Sequence, residues 1–304
     1  MMIEGFEYER HNVADANYQV AVGGDGPALI LLHGYPQTHY CWAQVAPALA
    51  RKHRVIVPDL RGYGATTAPP GGPSGEGFSK REMAADIVAL ADALGADTFS
   101  IVGHDRGGRV AYRAALDHPD RVERLGVLNI VPTVEQFERV SPANALGYWP
   151  WFLLAQPSPF PERLIAGATE HYVGSIIRDW AALPERIPAD ALQRYVDAFT
   201  DETIAATCAD YRASFYLDRQ VDAEDRAAGR RIACPTLVVW GDLDQGFGAD
   251  EEVEPTPADG PLEVWRRWAD QVEGQGLACG HFIPEEAPGE LVEVLDRWLA
   301  YPAA

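Results

Sequence analysis

The chain has 304 residues, 47% of them hydrophobic and 23% charged, enough apolar material for one large core or a core with an insertion. A formal charge of −20 excludes a nucleic-acid partner, since no basic stripe exists to neutralise phosphates; lysine is confined to Lys52 and Lys80, so nearly all positive charge is arginine. The four cysteines match no metal-ligand spacing, no apolar run approaches the ~20 residues of a membrane span, and glutamates interrupt the first ten residues where a signal peptide would need an apolar core. The expectation is a cytoplasmic protein with no membrane association, no metal and no cofactor.

In chain order, Ala28 to Leu32 reads as a buried strand that runs into His33-Gly34-Tyr35-Pro36. Val55 to Val57 is the next, leaving through Asp59-Leu60-Arg61-Gly62-Tyr63-Gly64. A Pro- and Gly-rich loop, Pro69 to Gly77, precedes a helix over 80–94 with Met83, Ile87, Leu90 and Leu94 at helical spacing and Gly95 as its cap. Phe99 to Val102 is a strand leading to Gly103-His104-Asp105-Arg106-Gly107 and a helix from Arg109 to Leu116; another strand covers Leu125 to Val131. Continuous apolar strands alternating with helices predict a mostly parallel central sheet flanked by helices. From Pro132 the texture turns helical and aromatic, so residues 132–226 are read as a helical cap inserted into a core made of 1–131 and 227–304. The alternation resumes at Pro235 to Gly241 and ends with Gly280-His281 and a helix over 289–300.

The chemistry centres on Gly103 to Gly107. A strand, a Gly-x-Asp-x-Gly turn and a helix make a nucleophile elbow, with Asp105 where esterases carry serine. A carboxylate there attacks an sp³ carbon and forms an alkyl ester that water then cleaves. His281 is the expected base, by its place after a strand-like segment near the C-terminus and by the order nucleophile, acid, histidine; His33 and His104 are read as structural. The acid is assigned to Asp244, three residues past Gly241, with Asp242 second, because the other customary position, after the strand that follows the elbow helix, holds Asn129. The backbone amides of Arg106 and Tyr35 are the expected oxyanion donors. Arg106 and Arg109, three apart on the elbow helix, are read as a fork that grips a substrate carboxylate, against the plainer reading that they neutralise nearby acids.

With these residues in place, the chain resembles the fluoroacetate/haloacetate dehalogenases of the α/β-hydrolase superfamily over nearly its whole length. The motifs that carry the likeness include His33 to Thr38, Asp59 to Gly64, Gly103 to Arg109, Tyr148-Trp149-Pro150-Trp151 and Asp210-Tyr211-Arg212-Ala213. The resemblance implies Asp105 as nucleophile, His281 as base, Arg106 and Arg109 on the carboxylate of a small anionic substrate, halide contacts from Trp151 and Tyr211, Tyr35 in the pocket wall, and a homodimer. Two positions depart from the family pattern. Asn129 replaces the usual acid, consistent with its relocation to Asp244, and Pro150 replaces a histidine that precedes the halide-binding tryptophan, so chloride and bromide are expected to leave more readily than fluoride. Epoxide hydrolysis with the same Asp-His-Asp set and the tyrosines Tyr211, Tyr148 or Tyr172 is the alternative; a catalytically silent binding protein is the third.

Overall fold

The computed structural model describes residues 2–142, 144–243 and 260–300. Two strands that the pattern reading passed over come first: β1 (Glu7–Val13) and β2 (Ala16–Gly23) form an antiparallel hairpin. Then follow β3 (Ala28–Leu32), the short helix α1 (Ala46–Leu49), β4 (Arg54–Pro58), α2 (Lys80–Ala93), β5 (Phe99–His104), α3 (Arg106–Asp117) and β6 (Val122–Leu128). Between β6 and β7 the elements among the described residues are helical, including α4 (Thr133–Glu138), α5 (Trp149–Leu154), α6 (Phe160–Ala166), α7 (Thr169–Trp180), α8 (Ala189–Ala198), α9 (Asp201–Ala213) and α10 (Arg219–Ala227). The core closes with β7 (Thr236–Gly241), α11 (Pro261–Trp268), β8 (Val272–Leu277), α12 (Ile283–Glu286) and α13 (Pro288–Leu299).

These strands make one sheet in the order β1-β2-β4-β3-β5-β6-β7-β8, antiparallel at the β1, β2 and β4 edge and parallel from β4 onward. Leu29 to Leu32, Val55 to Val57 and Ile101 to Val102 are solvent-free, as strands covered by helices on both faces must be. Each such aliphatic side chain contributes about 1.5–3 kcal/mol by leaving water. Helix α2 starts at a capping box in which Ser79 accepts the Glu82 amide and Glu82 reaches back, and it ends before Gly95, whose φ of +70° suits the turn. No helix among the described residues is long and apolar enough to cross a membrane.

The parallel strands all point the same way, so the segments that follow β3, β5, β6, β7 and β8 gather at one rim of the sheet. Tyr35, Asp105, Asn129, Asp242 and His281 each lie just past the end of one of these strands. A crevice outside the carboxyl ends of strands is where open α/β sheets bind ligands.

Candidate active site

Asp105 sits between β5 and α3 with φ 46° and ψ −114°, a conformation costing about 1–3 kcal/mol for a residue with a Cβ. Close backbone approach explains the flanking glycines. A Cβ on Gly103 would lie 2.3 Å from the Gly107 carbonyl oxygen, and one on Gly107 would lie 2.5 Å from that of His33. Across the turn the Tyr35 amide donates to Asp105 Oδ1 at 2.8 Å; the Arg106 amide, the other expected donor, is the first N–H of α3. Burial pushes the Asp105 pKa up, but the neighbouring His281, Arg106 and His104 and the Tyr35 amide outweigh it and hold the carboxyl below its ordinary value. Asp105 is therefore a carboxylate at neutral pH, the state that the expected nucleophile would need.

His281 follows β8 with its ring edge-on to Trp180 (5.1 Å between centroids) and tilted against His104 (4.9 Å). Its Nδ1 is 2.8 Å from Asn129 Nδ2, while Asn129 Oδ1 accepts the Gly241 amide at 3.1 Å. The position after β6 is thus in contact with His281, the expected base, and an amide occupies it. Asp242 is exposed and accepts the Trp240 indole N–H at 2.9 Å; Asp244 lies outside the described residues. His33 and His104 are buried and neutral, their pKa values lowered by burial to about 4 and about 3. His33 accepts the Leu60 amide at 2.9 Å, and His104 Nε2 donates to the His281 carbonyl at 2.8 Å, so both tie loops together.

A cavity of about 200 Å3 opens at this rim. Its walls include Asp105, His281, Arg109, Asn129, Trp151, Tyr148 and Trp180. Tyr35, Pro150, Tyr211 and Arg106 are not among its lining residues. The Tyr35 ring is solvent-free, wedged against Trp180, Phe199 and Tyr211, and its hydroxyl donates to that of Tyr172 at 2.7 Å, so it is the amide of Tyr35 that reaches Asp105. Tyr211 is also buried, with its ring face 4.2 Å from the Arg106 guanidinium. Pro150 is buried in the first turn of α5.

The two arginines of the expected fork have different surroundings. Arg106 gives Nε and Nη2 to the two carboxylate oxygens of Asp210 at 2.9 and 2.8 Å, and Nη2 also reaches Ser214 Oγ at 2.6 Å. Only Nη1 remains, buried and without a hydrogen-bond partner among the described residues. Arg109 makes no ion pair with a described residue. Its Nη1 meets the Val131 carbonyl at 3.0 Å and Thr133 Oγ1 at 3.1 Å, and its guanidinium stacks 4.5 Å from the centre of the Trp151 ring. Burial and the nearby charge of Arg106 push its pKa below the ordinary value. A fully buried cation held only by neutral groups is costly unless an anion joins it. Sequence reasoning missed the Asp210 partner of Arg106, as well as Trp180 and Arg139 in the cavity wall. Trp180 and Arg139 carry no local motif, and the run Asp210-Tyr211-Arg212-Ala213 does not mark Asp210 as the partner of Arg106; the pairing is made only by the packing of the helices between β6 and β7.

The model of the alpha/beta hydrolase fold matches residues 27–275. This chain belongs to the alpha/beta hydrolase family. It is 38% identical over 301 residues to a fluoroacetate dehalogenase of Burkholderia sp, covering 98% of this chain and 95% of that one. A soluble epoxide hydrolase of Corynebacterium sp. (strain C12) is 30% identical, with 97% and 98% covered. A solved protein from Nostoc sp PCC 7120 superposes with a TM-score of 0.91 at 39% identity, covering 99% of this chain and 100% of that one. This member of the family is a hydrolase by kinship, with both dehalogenases and epoxide hydrolases among its relatives.

Proposed function

We propose that this hydrolase removes halide from short 2-haloacids such as chloroacetate and bromoacetate, through an ester on Asp105. One observation carries the reading: Arg109, buried and without a carboxylate partner among the described residues, shares a cavity with the Asp105 nucleophile and His281. A substrate carboxylate is the missing anion. Seated on Arg109, with the buried Nη1 of Arg106 as a further donor, it leaves the carbon that bears the halogen for Asp105. The helices between β6 and β7 act as the cap that excludes water from this ion pair.

In the first step Asp105 Oδ2 attacks that carbon. A C–O bond forms, the C–X bond breaks and the halide leaves with its electron pair toward Trp151. In the second step His281 takes a proton from water and the hydroxide adds to the Asp105 carboxyl carbon. The Tyr35 amide, already on Oδ1, supports the charge that develops there. Collapse releases the 2-hydroxyacid, His281 returns the proton to its alkoxide oxygen, and Asp105, left as a carboxylic acid, loses its proton to solvent and is regenerated as the carboxylate. The base must carry its proton on Nδ1 so that Nε2 can accept one. The Asn129 Nδ2 donor facing Nδ1 favours the opposite tautomer, so a carboxylate has to reach Nδ1, the role we give to Asp244.

Halide release from fluoro-, chloro- and bromoacetate, with styrene oxide as comparison, tests the reading. Fast dechlorination with little epoxide opening supports it; the reverse would overturn it. Epoxide hydrolysis is the second reading. Of the tyrosines it would use to protonate the epoxide oxygen, Tyr148 lines the cavity, whereas Tyr211 packs on Arg106 and Tyr172 accepts from Tyr35.

A further inference from the structure

The guanidinium of Arg106, whose Nη1 is the further donor to the substrate, belongs to a buried cluster whose other members the mechanism does not use. Asp210 on α9 accepts from Arg106 twice, from the Tyr63 hydroxyl at 2.7 Å, and from the ammonium of Lys80 at the first turn of α2. Lys80 also gives its backbone amide to Asp218 Oδ1 at 2.8 Å, and its Nζ lies 3.9 Å from Asp218 Oδ2. Asp218 ends a π-helical turn, Ser214–Asp218, that joins α9 to α10 and aims Ser214 and Asp218 at the same point. Such turns interrupt helices most often where a side chain must be re-aimed for function.

Of the chain's two lysines, Lys52 is exposed and pairs with Asp296 at the surface, whereas Lys80 has 1% of its surface in contact with solvent. Burying an ammonium is expensive, and α2 needs no cation at its N-terminus, where the dipole favours acids. A charge count explains its presence. Arg106, Asp210 and Asp218 without Lys80 sum to one excess negative charge, beside a cavity meant for an anion. With Lys80 they sum to zero.

We propose that Lys80 is a positioning residue that fixes substrate charge preference: by sharing Asp210 and Asp218, it offsets the excess negative charge these two acids would otherwise place beside the cavity, and it keeps the Nη1 donor of Arg106 in place. The inference deepens the haloacid reading and rests on it for the class of substrate. The lowered Lys80 pKa, from burial first and from the repulsion of Arg106 second, accords with an ammonium packed against another cation for a purpose other than stability.

The test uses the full chain and two readouts: glycolate affinity from the fluorescence of the cavity tryptophans, and KM and kcat for chloroacetate. Lys80→Met should weaken glycolate binding at least about tenfold, equivalent to about 1.4 kcal/mol, and raise KM more than it lowers kcat. Lys80→Met/Asp218→Asn restores the balance and should regain most of the affinity, which a purely structural role for Lys80 would not allow. Asp218→Asn alone keeps the lysine and adds net positive charge, so it should tighten glycolate binding; this arm stands even if Lys80→Met fails to fold. Unchanged affinity in Lys80→Met, no recovery in the double variant, or weaker binding in Asp218→Asn would each overturn the inference. A wild-type protein that opens styrene oxide and binds no glycolate would instead overturn the substrate reading, before any variant is made.

Discussion

Helix α3 presents three buried arginines to the helices between β6 and β7, and its two ends differ. At the far end Arg113 is saturated with acids: Asp222 at 2.8 Å, Asp225 at 2.6 Å and Asp117 at 3.2 Å. One turn nearer the elbow, Arg109 is just as buried and touches a carbonyl, a hydroxyl and an indole face. Arg106, at the elbow itself, is intermediate. Residue type, helix and burial are the same; the partners alone separate a cation that joins two layers of the fold from one held ready for a ligand. Arg113 is tied to acids of the fold, and Arg109 is the cation we propose for the site.

That contrast can be broken from either end. The largest effect is expected at the base. Asp244→Asn should lower kcat by about 10⁴, as loss of an orienting carboxylate does in other triads, with little change in unfolding temperature, while Asp242→Asn should be close to neutral because Asp242 is exposed on Trp240. Asn129→Asp, placed on His281 Nδ1, should recover part of the rate in the Asp244→Asn background. Activity unaffected by Asp244→Asn would remove that residue from the mechanism.

The arginines come next. Arg109→Leu should cost about 10²–10³ in kcat/KM on chloroacetate, the range for removing one partner of a buried charge pair, and leave thermal stability unchanged or raised. Arg113→Leu leaves the buried Asp222 without its cation and Asp225 with Arg230 alone, and should cost about 3–5 kcal/mol of stability, while the rate per folded molecule holds. If the two variants lose the same property, the contrast is wrong.

A smaller effect concerns the leaving group. Fluoride depends most on hydrogen bonds as charge develops, and each charge-assisted donor is worth about 1.5–3 kcal/mol. Fluoroacetate should therefore react far more slowly than chloroacetate, and Pro150→His should narrow the gap by about 10–100-fold if the added donor acts in the transition state alone. The buried setting of Pro150 makes a lower unfolding temperature the expected accompaniment. Defluorination as fast as dechlorination in the wild type would show that another donor fills the gap.

The smallest effect is on pH dependence. Burial raises the carboxyl of Glu285 from 4.5 to about 7, against the donors Tyr195 and Gln37. With the folded value above the unfolded one, the protonated form is favoured on folding, so stability falls as pH rises from 4.5 to 7 and the full penalty applies above that. Glu285→Gln should flatten this slope and raise the unfolding temperature at pH 8, at about 2–4 °C per kcal/mol. An unchanged slope would assign it to other groups.

The core of the fold was legible in the sequence because buried parallel strands read as unbroken apolar runs and the elbow glycines have no other use. The β1–β2 hairpin was not, since half-exposed residues such as Glu7, Glu9 and Gln19 dilute its pattern. The strand expected over Leu125 to Val131 in fact runs Val122–Leu128, because Asn129 turns the chain with φ +56°. Asp105, His281 and Arg109 could be picked out because each sits at a fixed offset from a strand end or glycine. The partners of Arg106 could not, because Asp210 and Lys80 lie 104 and 26 positions from it in the chain and meet it only after the helices between β6 and β7 fold over the sheet.

The proposed chemistry turns on Asp105 being alkylated by the carbon that bears the halogen. His281→Ala, incubated with chloroacetate and digested, is the most direct test. The account predicts a peptide containing Asp105 heavier by one carboxymethyl group, formed in step with one equivalent of chloride. The adduct should be absent from Asp105→Asn and should form far more slowly when Arg109 is also replaced by Leu. Steady chloride release from the His281 variant with no mass on that peptide would contradict it.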